Sequence, residues 1–264
     1  MSDYKIEAGT AQHVGNRPRQ HDRVALFTAP KAPGYVLAIV ADGGADNALG
    51  ADQSLHTAKQ SFDDYKVGDA PSLARLTALL REIAQETHDV LLMNPANAEA
   101  RSTLVLLLLT PQRQAVWATV GDSRLYRFDN GALRGRTGDT DYIQHLIDVD
   151  KVPPEAARRH RASRLLANAV GSPLKAPFVA VGTQEDLRAG DAFLLCTDGL
   201  WPYFTDTELA AAVSRRTPRA AAELLIDKAR ERAQGNGDNC SMAIVRLVAR
   251  ATEPAEIPVT AAGR

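Results

Sequence analysis

The sequence predicts an α+β fold with antiparallel sheets. Short apolar runs of strand length are separated by hairpin-sized turns, and the helical segments are grouped rather than alternating with the strands. The strongest turn signal is Asp129-Asn-Gly131, because Asn-Gly tolerates the positive φ angles of a tight hairpin. The chain of 264 residues is long enough to bury a sizeable core. It shows no internal repeat, and we expect one domain over residues 1–250.

Eight segments have the length and the apolar composition of strands. They are residues 23–27, 35–41, 104–109, 115–120, 125–128, 132–134, 193–196 and 241–248. Helical spacing of apolar residues predicts a helix that begins at Pro71, with Asp69 as its cap, and continues to Val90. Two further helices are predicted over residues 206–213 and 218–233, the second with Thr217 as N-cap and Pro218 at its first position.

Residues 139–174 differ from the rest of the chain, because they are rich in arginine and contain few β-branched residues. Two interpretations are open, a helical insertion over the sheet, which we favour, and a solvated surface segment. Residues 251–264 contain two prolines and no apolar periodicity, which predicts a disordered tail.

Composition and charge exclude several classes of function. The 31 basic and 32 acidic residues give a net charge of −1, which excludes a nucleic-acid binder that relies on overall positive charge. The longest run of bulky aliphatic residues, Leu104–Leu109, is far shorter than a membrane span, and the N-terminus has no signal-peptide pattern. Two cysteines are too few for a disulfide framework. We therefore expect a cytoplasmic protein without nucleic-acid or membrane partners.

Acidic residues stand where predicted strands begin or end. Asp42, Asp122 and Asp198 follow strands, and Asp238 precedes one. Carboxylates gathered at one edge of a sheet repel each other unless a cation lies between them. Because the ligands are oxygens without a histidine-rich or cysteine-rich spacing, the pattern favours Mg²⁺ or Mn²⁺ over Zn²⁺.

These residues belong to motifs that carry a family resemblance. The motifs are, in order, Arg17-Pro-Arg-Gln-His-Asp22, Asp42-Gly-Gly-Ala-Asp-Asn-Ala-Leu-Gly50, Gly121-Asp-Ser-Arg-Leu-Tyr126, Thr137-Gly-Asp139, Cys196-Thr-Asp-Gly-Leu200 and Gly237-Asp-Asn239. From about Gly9 to Val248 the chain resembles the metal-dependent protein Ser/Thr phosphatases of type 2C, in their bacterial form. The resemblance implies a sandwich of two antiparallel β-sheets flanked by antiparallel helices, with a binuclear Mg/Mn site at one end. It also implies that residues 139–174 form a helical flap beside the active site.

The resemblance assigns a role to each site residue. Asp42 would bridge two tightly bound metal ions, and Gly43 would offer its backbone carbonyl to one of them. Asp198 and Asp238 would bind the other ion, and Asp22 would act through a bound water. The remaining assignments are Asp122, which with Asp198 would hold a weaker third ion, and Arg17, which would grip the substrate phosphate. A solvated charge is the alternative interpretation of Arg17, which lies in a basic segment with Arg19 and Arg23.

The sequence departs from the family pattern near the predicted site. Gln20 replaces the usual Asn, and His21 stands where the family has Glu or Gln. His21 could be a metal ligand, a hydrogen-bond donor behind the ligands, which we favour, or an outward-facing residue. In the loop after Asp42, neither Gly44 nor Asn47 can supply the proton that a family histidine is thought to donate. These departures remove the expected proton donor for the leaving group, so general-acid catalysis is in doubt. They do not affect the predicted metal ligands, which are all present.

The sequence therefore predicts a protein phosphatase that hydrolyses phosphoserine and phosphothreonine by a metal-activated water. Its substrates would be phosphoproteins, the targets of a bacterial Ser/Thr kinase, and we expect a monomer. A catalytically weak or inactive phosphoprotein-binding module of the same fold is the main alternative, and an enzyme acting on small phosphate esters is another. Turnover of a phosphopeptide with Mn²⁺, and its loss with a chelator, distinguishes them.

Overall fold

The computed structural model describes residues 4–44, 47–68, 72–94, 97, 99–138, 147, 152–153 and 168–250. Over these residues the chain forms ten strands: β1 (Tyr4–His13), β2 (Arg23–Ala29), β3 (Ala32–Ala41), β4 (Leu104–Leu109), β5 (Ala115–Val120), β6 (Arg124–Asp129), β7 (Ala132–Arg136), β8 (Ala180–Gln184), β9 (Asp191–Cys196) and β10 (Cys240–Ala249). The helices are α1 (Leu49–Asp64), α2 (Leu73–Met93), α3 (Asp206–Arg215) and α4 (Pro218–Ala233), with a short 3-10 turn at Trp201–Tyr203. Within this described part of the chain, no helix has the length and apolar character needed to cross a membrane.

The strands form two five-stranded antiparallel sheets, which confirms the predicted α+β sandwich. One sheet has the order β1-β10-β9-β6-β7, and the other has the order β2-β3-β4-β5-β8. Three buried clusters separate the layers. One fills the space between the sheets, one lies under α1 and α2, and one lies under α3 and α4.

Central strands are apolar on both faces because each sheet is covered on both sides. In β4, Leu106 packs toward the α1–α2 layer, while Leu107 packs into the space between the sheets. In β10, Ile244 packs under α3 and α4, while Val245 faces the opposite sheet. Successive side chains of a strand point to opposite faces, so these runs show no polar alternation.

Helix α2 begins at Leu73, and the Ser72 hydroxyl caps it by accepting a hydrogen bond from the Arg75 backbone N–H. The predicted cap Asp69 and the predicted first residue Pro71 lie outside the described residues. Helix α1 was not predicted at all. The predicted cap of α4 is confirmed, because the Thr217 hydroxyl accepts from the Ala220 N–H.

The antiparallel register brings strand ends of different sheets to one end of the sandwich. β2 begins where β3 ends, β4 begins where β5 ends, and β6 begins where β9 ends. The opposed pairs are Arg23 and Ala41, Leu104 and Val120, and Arg124 and Cys196. The segments that flank these positions carry the predicted site residues, so the fold gathers them without any long loop.

Candidate metal centre

A cavity of about 450 Å³ opens at this end of the sandwich and is lined by most of the predicted site residues. The predicted residues in its wall are Arg17, Asp42, Gly43, Asp122, Asp198 and Asp238. Asp22 does not line the cavity. It is fully buried, and its carboxyl lies within interaction distance of the Asp42 carboxyl. The structure thus brings together every side chain that the sequence assigned to the site.

The backbone of Asp42 is fixed by the start of β4. Its N–H donates to the Thr103 hydroxyl at 3.1 Å, and its carbonyl accepts from the Thr103 N–H at 3.0 Å and from the Ser102 hydroxyl at 2.8 Å. The Thr103 hydroxyl also contacts that of Ser123, next to Asp122, at 2.7 Å. Because all these partners lie at strand ends, the carboxyl of Asp42 projects from a rigid frame.

Asp22 is held by the other sheet. Its Oδ2 accepts a 2.9 Å hydrogen bond from the Thr197 hydroxyl, and that hydroxyl accepts from the Ser241 N–H at 3.0 Å. The Asp22 Oδ1 is buried and has no hydrogen-bond partner in the part of the chain that the structure describes. A buried carboxylate oxygen without a partner is costly unless a ligand, such as a cation or its water, completes it.

Burial and mutual repulsion raise the pKa values of three of these carboxyls. Desolvation is the largest cause in each case, and it raises the pKa of Asp22 to about 6 and that of Asp198 to about 7. The pKa of Asp42 also lies well above its usual range, because desolvation is joined by the charges of Asp22, Asp198 and Asp122. A cation among them would remove the repulsion and return all three to the ionised form.

The residues present fit a divalent metal ion of the hard class. The donors are carboxylates and, at Gly43, a backbone carbonyl, which are the ligands that Mg²⁺ and Mn²⁺ accept. A bound cation would stabilise both the unpartnered Asp22 oxygen and the closely spaced carboxyls. Among the described residues, no three potential ligands yet have the mutual geometry of a formed metal site.

Arg17 is the present counter-ion of Asp238. Its Nε donates to Asp238 Oδ1 at 2.8 Å and its Nη2 donates to Oδ2 at 2.6 Å, a planar two-point contact. The same fork geometry matches two oxygens of a phosphate. Arg17 thus lies at the cavity as predicted, and in the structure it binds a predicted metal ligand.

Asn239 fastens the segment that carries Arg17 to the start of β10. Its amide nitrogen donates to the carbonyls of Val14 and Arg19, and its amide oxygen accepts from the His21 N–H at 2.7 Å. Because these contacts lie on both sides of Arg17, the segment and Asp238 form one unit.

His21 supports the loop that follows Asp42. Its Nδ1 lies 3.1 Å from the Gly44 carbonyl, and since a carbonyl only accepts, Nδ1 is the protonated nitrogen. This contact agrees with the interpretation of His21 as a hydrogen-bond donor behind the ligands. Gly43 lies close to the same backbone, because a Cβ at Gly43 would stand 2.5 Å from the His21 carbonyl oxygen. A side chain at position 43 is therefore excluded unless the loop moves.

The altered loop offers no proton donor in its described residues. Gly44 lines the cavity but has no side chain, and the Asn47 amide oxygen accepts from the Leu49 N–H at the start of α1. Ala45 and Asp46, between them, lie outside the described residues.

The predicted flap lies largely outside the described residues, as does Asp139 at its start. Its C-terminal end is described. Asn168 and Ala169 line the cavity, and Val170 pairs with Ser102 in an isolated bridge. Arg101, next to Ser102, also lines the cavity and was missed by the sequence reasoning. The rule that gathered acidic residues at strand ends would have found it if it had been applied to basic residues too.

The fold is shared with known bacterial phosphatases. The chain is 30% identical over 217 residues to the serine/threonine protein phosphatase PstP of Mycobacterium tuberculosis, over 81% of this chain and 41% of PstP. It is 29% identical to the serine/threonine phosphatase stp of Listeria monocytogenes, over 79% of this chain and 83% of that protein. No protein-family model matches the sequence.

Solved structures of bacterial phosphatases have the same fold as this chain. PppA, a key regulatory component of the T6SS in Pseudomonas aeruginosa, superposes with a TM-score of 0.68 and 28% identity, over 92% of this chain and 97% of that chain. The catalytic domain of PstP in complex with two manganese ions superposes with a TM-score of 0.67 and 24% identity, over 92% and 98% of the chains. In sequence and fold, this chain is a relative of the bacterial serine/threonine protein phosphatases of type 2C. It spans less than half the length of PstP, and most of the length of the Listeria protein.

Proposed function

We propose that this protein hydrolyses phosphoserine and phosphothreonine in proteins at a binuclear Mn²⁺ or Mg²⁺ site. The observation that carries the proposal is the meeting of five aspartates and Arg17 at one end of the sandwich, around or directly behind one cavity. The manganese complex of PstP supports the choice of metal.

The residues of the site would bind the metal ions, position the substrate phosphate and supply charge. Asp22, Asp42, Asp198, Asp238 and the Gly43 carbonyl would hold two cations, and Asp122 with Asp198 a weaker third. Divalent cations bound there supply Lewis acidity and a nucleophilic water at neutral pH. Arg17 would release Asp238 to the metal and turn its guanidinium to the phosphoryl oxygens, which fixes the phosphorus for in-line attack.

The leaving oxygen receives no proton from Gly44 or Asn47. Gly44 has no side chain, and Asn47 is hydrogen-bonded to the start of α1. Departure of the serine or threonine oxygen therefore depends on solvent or on the other residues of the cavity. A serine alkoxide is a strongly basic leaving group, so rates on alkyl phosphates should lag those on aryl phosphates.

The test is turnover of a phosphoserine peptide with Mn²⁺, with and without EDTA, in the wild type and in Asp42→Asn. We expect Mn²⁺-dependent release of phosphate that EDTA and the substitution each abolish. Phosphopeptide binding without turnover would instead support the regulatory module, and turnover of small esters alone would contradict a protein substrate. We infer further that the substrates are targets of a bacterial Ser/Thr kinase and that the enzyme acts as a cytoplasmic monomer.

A further inference from the structure

The cavity wall contains a guanidinium that none of the roles above uses. Arg101 lies in the segment before β4, two residues from the Thr103 that fixes Asp42, and it lines the same cavity as Arg17. It is partly exposed, and no hydrogen bond or ion pair of its side chain occurs among the described residues.

The backbone of Arg101 is clamped against the altered loop. Its carbonyl accepts a 2.9 Å hydrogen bond from the Gly44 N–H. The start of α1 packs closely against the Arg101 carbonyl oxygen, since a Cβ at Gly50 would lie 2.3 Å from that oxygen. The next residue, Ser102, bridges to both Gly43 and Val170. Arg101 is therefore held in place by its main chain, while its side chain is not committed to a structural contact.

Two of the other arginines around this end of the sandwich have carboxylate partners. Arg17 binds Asp238 and Arg23 binds Asp52, each through two nitrogens. In contrast, the Arg101 Nε is buried and has no hydrogen-bond partner among the described residues. A buried N–H donor without an acceptor destabilises the fold, and a ligand with anionic oxygens would satisfy it.

We propose that Arg101 is a second phosphate-binding residue of the substrate site, whose guanidinium binds an oxygen of the substrate's phosphoryl group. This inference rests on the proposed function. An uncommitted arginine suits a phosphate dianion because its charge never titrates and its N–H groups match tetrahedral oxygens. Beside the loop that lacks a proton donor, it also supplies fixed positive charge where negative charge develops during transfer.

The experiment compares wild type with Arg101→Gln and Arg101→Lys, and with Arg81→Gln as control. Arg81 is an exposed arginine on α2 that does not line the cavity. Binding of inorganic phosphate to the Mg²⁺-loaded protein is measured by calorimetry, alongside kcat/KM for a phosphoserine peptide and Mg²⁺ affinity. We expect Arg101→Gln to weaken phosphate binding and lower kcat/KM, each by about tenfold or more, with Mg²⁺ affinity unchanged. Arg101→Lys should lose less, and the control should match wild type.

The outcomes separate this inference from the proposed function. Normal phosphate binding and turnover in Arg101→Gln would overturn the role of Arg101 and leave the phosphatase intact. A wild type that neither binds phosphate nor releases it would overturn both. Loss of Mg²⁺ binding together with phosphate binding would show that Arg101 is only structural. If Arg101→Gln does not fold, Arg101→Lys decides, because wild-type phosphate binding in that variant would reject a role for the guanidinium fork.

Discussion

Replacement of Arg17 by alanine should change metal binding and substrate binding in opposite directions. In the structure the guanidinium holds Asp238 through two hydrogen bonds, so a metal ion must displace it to reach that carboxylate. The two side chains are 57% and 40% exposed, and ion pairs this exposed contribute about 0.2–1 kcal/mol. Removal of the arginine should therefore strengthen Mn²⁺ binding by a factor of roughly 1.4 to 5.

The same substitution should weaken the reaction much more than it helps the metal. The lost contact to phosphate is a charge-assisted hydrogen bond of about 1.5–3 kcal/mol, so kcat/KM should fall by roughly 10- to 150-fold at saturating Mn²⁺. Calorimetric Mn²⁺ titration and phosphopeptide kinetics measure the two effects separately.

A matched control exists in the hairpin of β6 and β7. Arg134 binds Asp129 through two nitrogens, with side-chain exposures of 61% and 36%, close to those of the Arg17 pair. Arg134→Ala should change neither Mn²⁺ affinity nor kcat/KM. Weaker Mn²⁺ binding in Arg17→Ala would refute the reasoning, because it would mean that the arginine supports the metal site instead of competing for it.

Three further predictions concern the acidic cluster. Asp42→Asn should raise the thermal midpoint of the metal-free protein, since it removes one of several crowded carboxylates, and should abolish the stabilisation by Mn²⁺; an unchanged response to Mn²⁺ would exclude Asp42 as a ligand. The pKa values of Asp22 and Asp198 are raised in the folded state to about 6 and about 7, so the native state holds protons that the unfolded chain has released. In EDTA the thermal midpoint should therefore fall as the pH rises from about 4 to 7, and a rise over this range would contradict the shifts. Gly43→Ala should place a Cβ against the His21 carbonyl and weaken Mn²⁺ binding in titration. Gly235→Ala strains a backbone with φ of +86° but does not line the cavity, so it should leave Mn²⁺ binding unchanged.

Four of the five aspartates were predictable because they stand at strand boundaries, whereas Asp22 was assigned through the family resemblance. Asp42 and Asp198 each follow a run that is apolar on both faces, and an antiparallel order puts such ends beside the starts of neighbouring strands. The residues that meet are far apart in sequence, yet each is marked locally by a strand boundary.

Two other elements, α1 and β1, have no local sequence pattern that predicts them. The buried face of α1 consists mainly of small or polar residues, among them Gly50, Ser54 and Thr57, so it lacks the apolar period of α2. Strand β1 is an edge strand with Lys5 and Glu7 in its first half, and it is ordered by its pairing with β10. Tertiary packing decides both elements.

The contacts within the site were also beyond the sequence. Arg17 and Asp238 are 221 positions apart, and no pattern distinguishes their pairing from the pairing of Arg17 with a phosphate. The hydrogen bond from His21 to the Gly44 carbonyl depends on the path of a loop. Side-chain partners of this kind become visible only when the register of both sheets is known.

The pairing of β1 with β10 has a consequence for how the molecule can be extended or rewired. Their register sets His13 opposite Cys240 near the cavity and Tyr4 opposite Ala249 at the other extremity, roughly 30 Å away along the strands. Sequence joined before Tyr4 or after Ala249 would therefore depart from the same end of the sandwich, remote from the cavity. Fusion partners can be attached there without obstructing access, and a short linker across that point would allow circular permutation with new ends elsewhere.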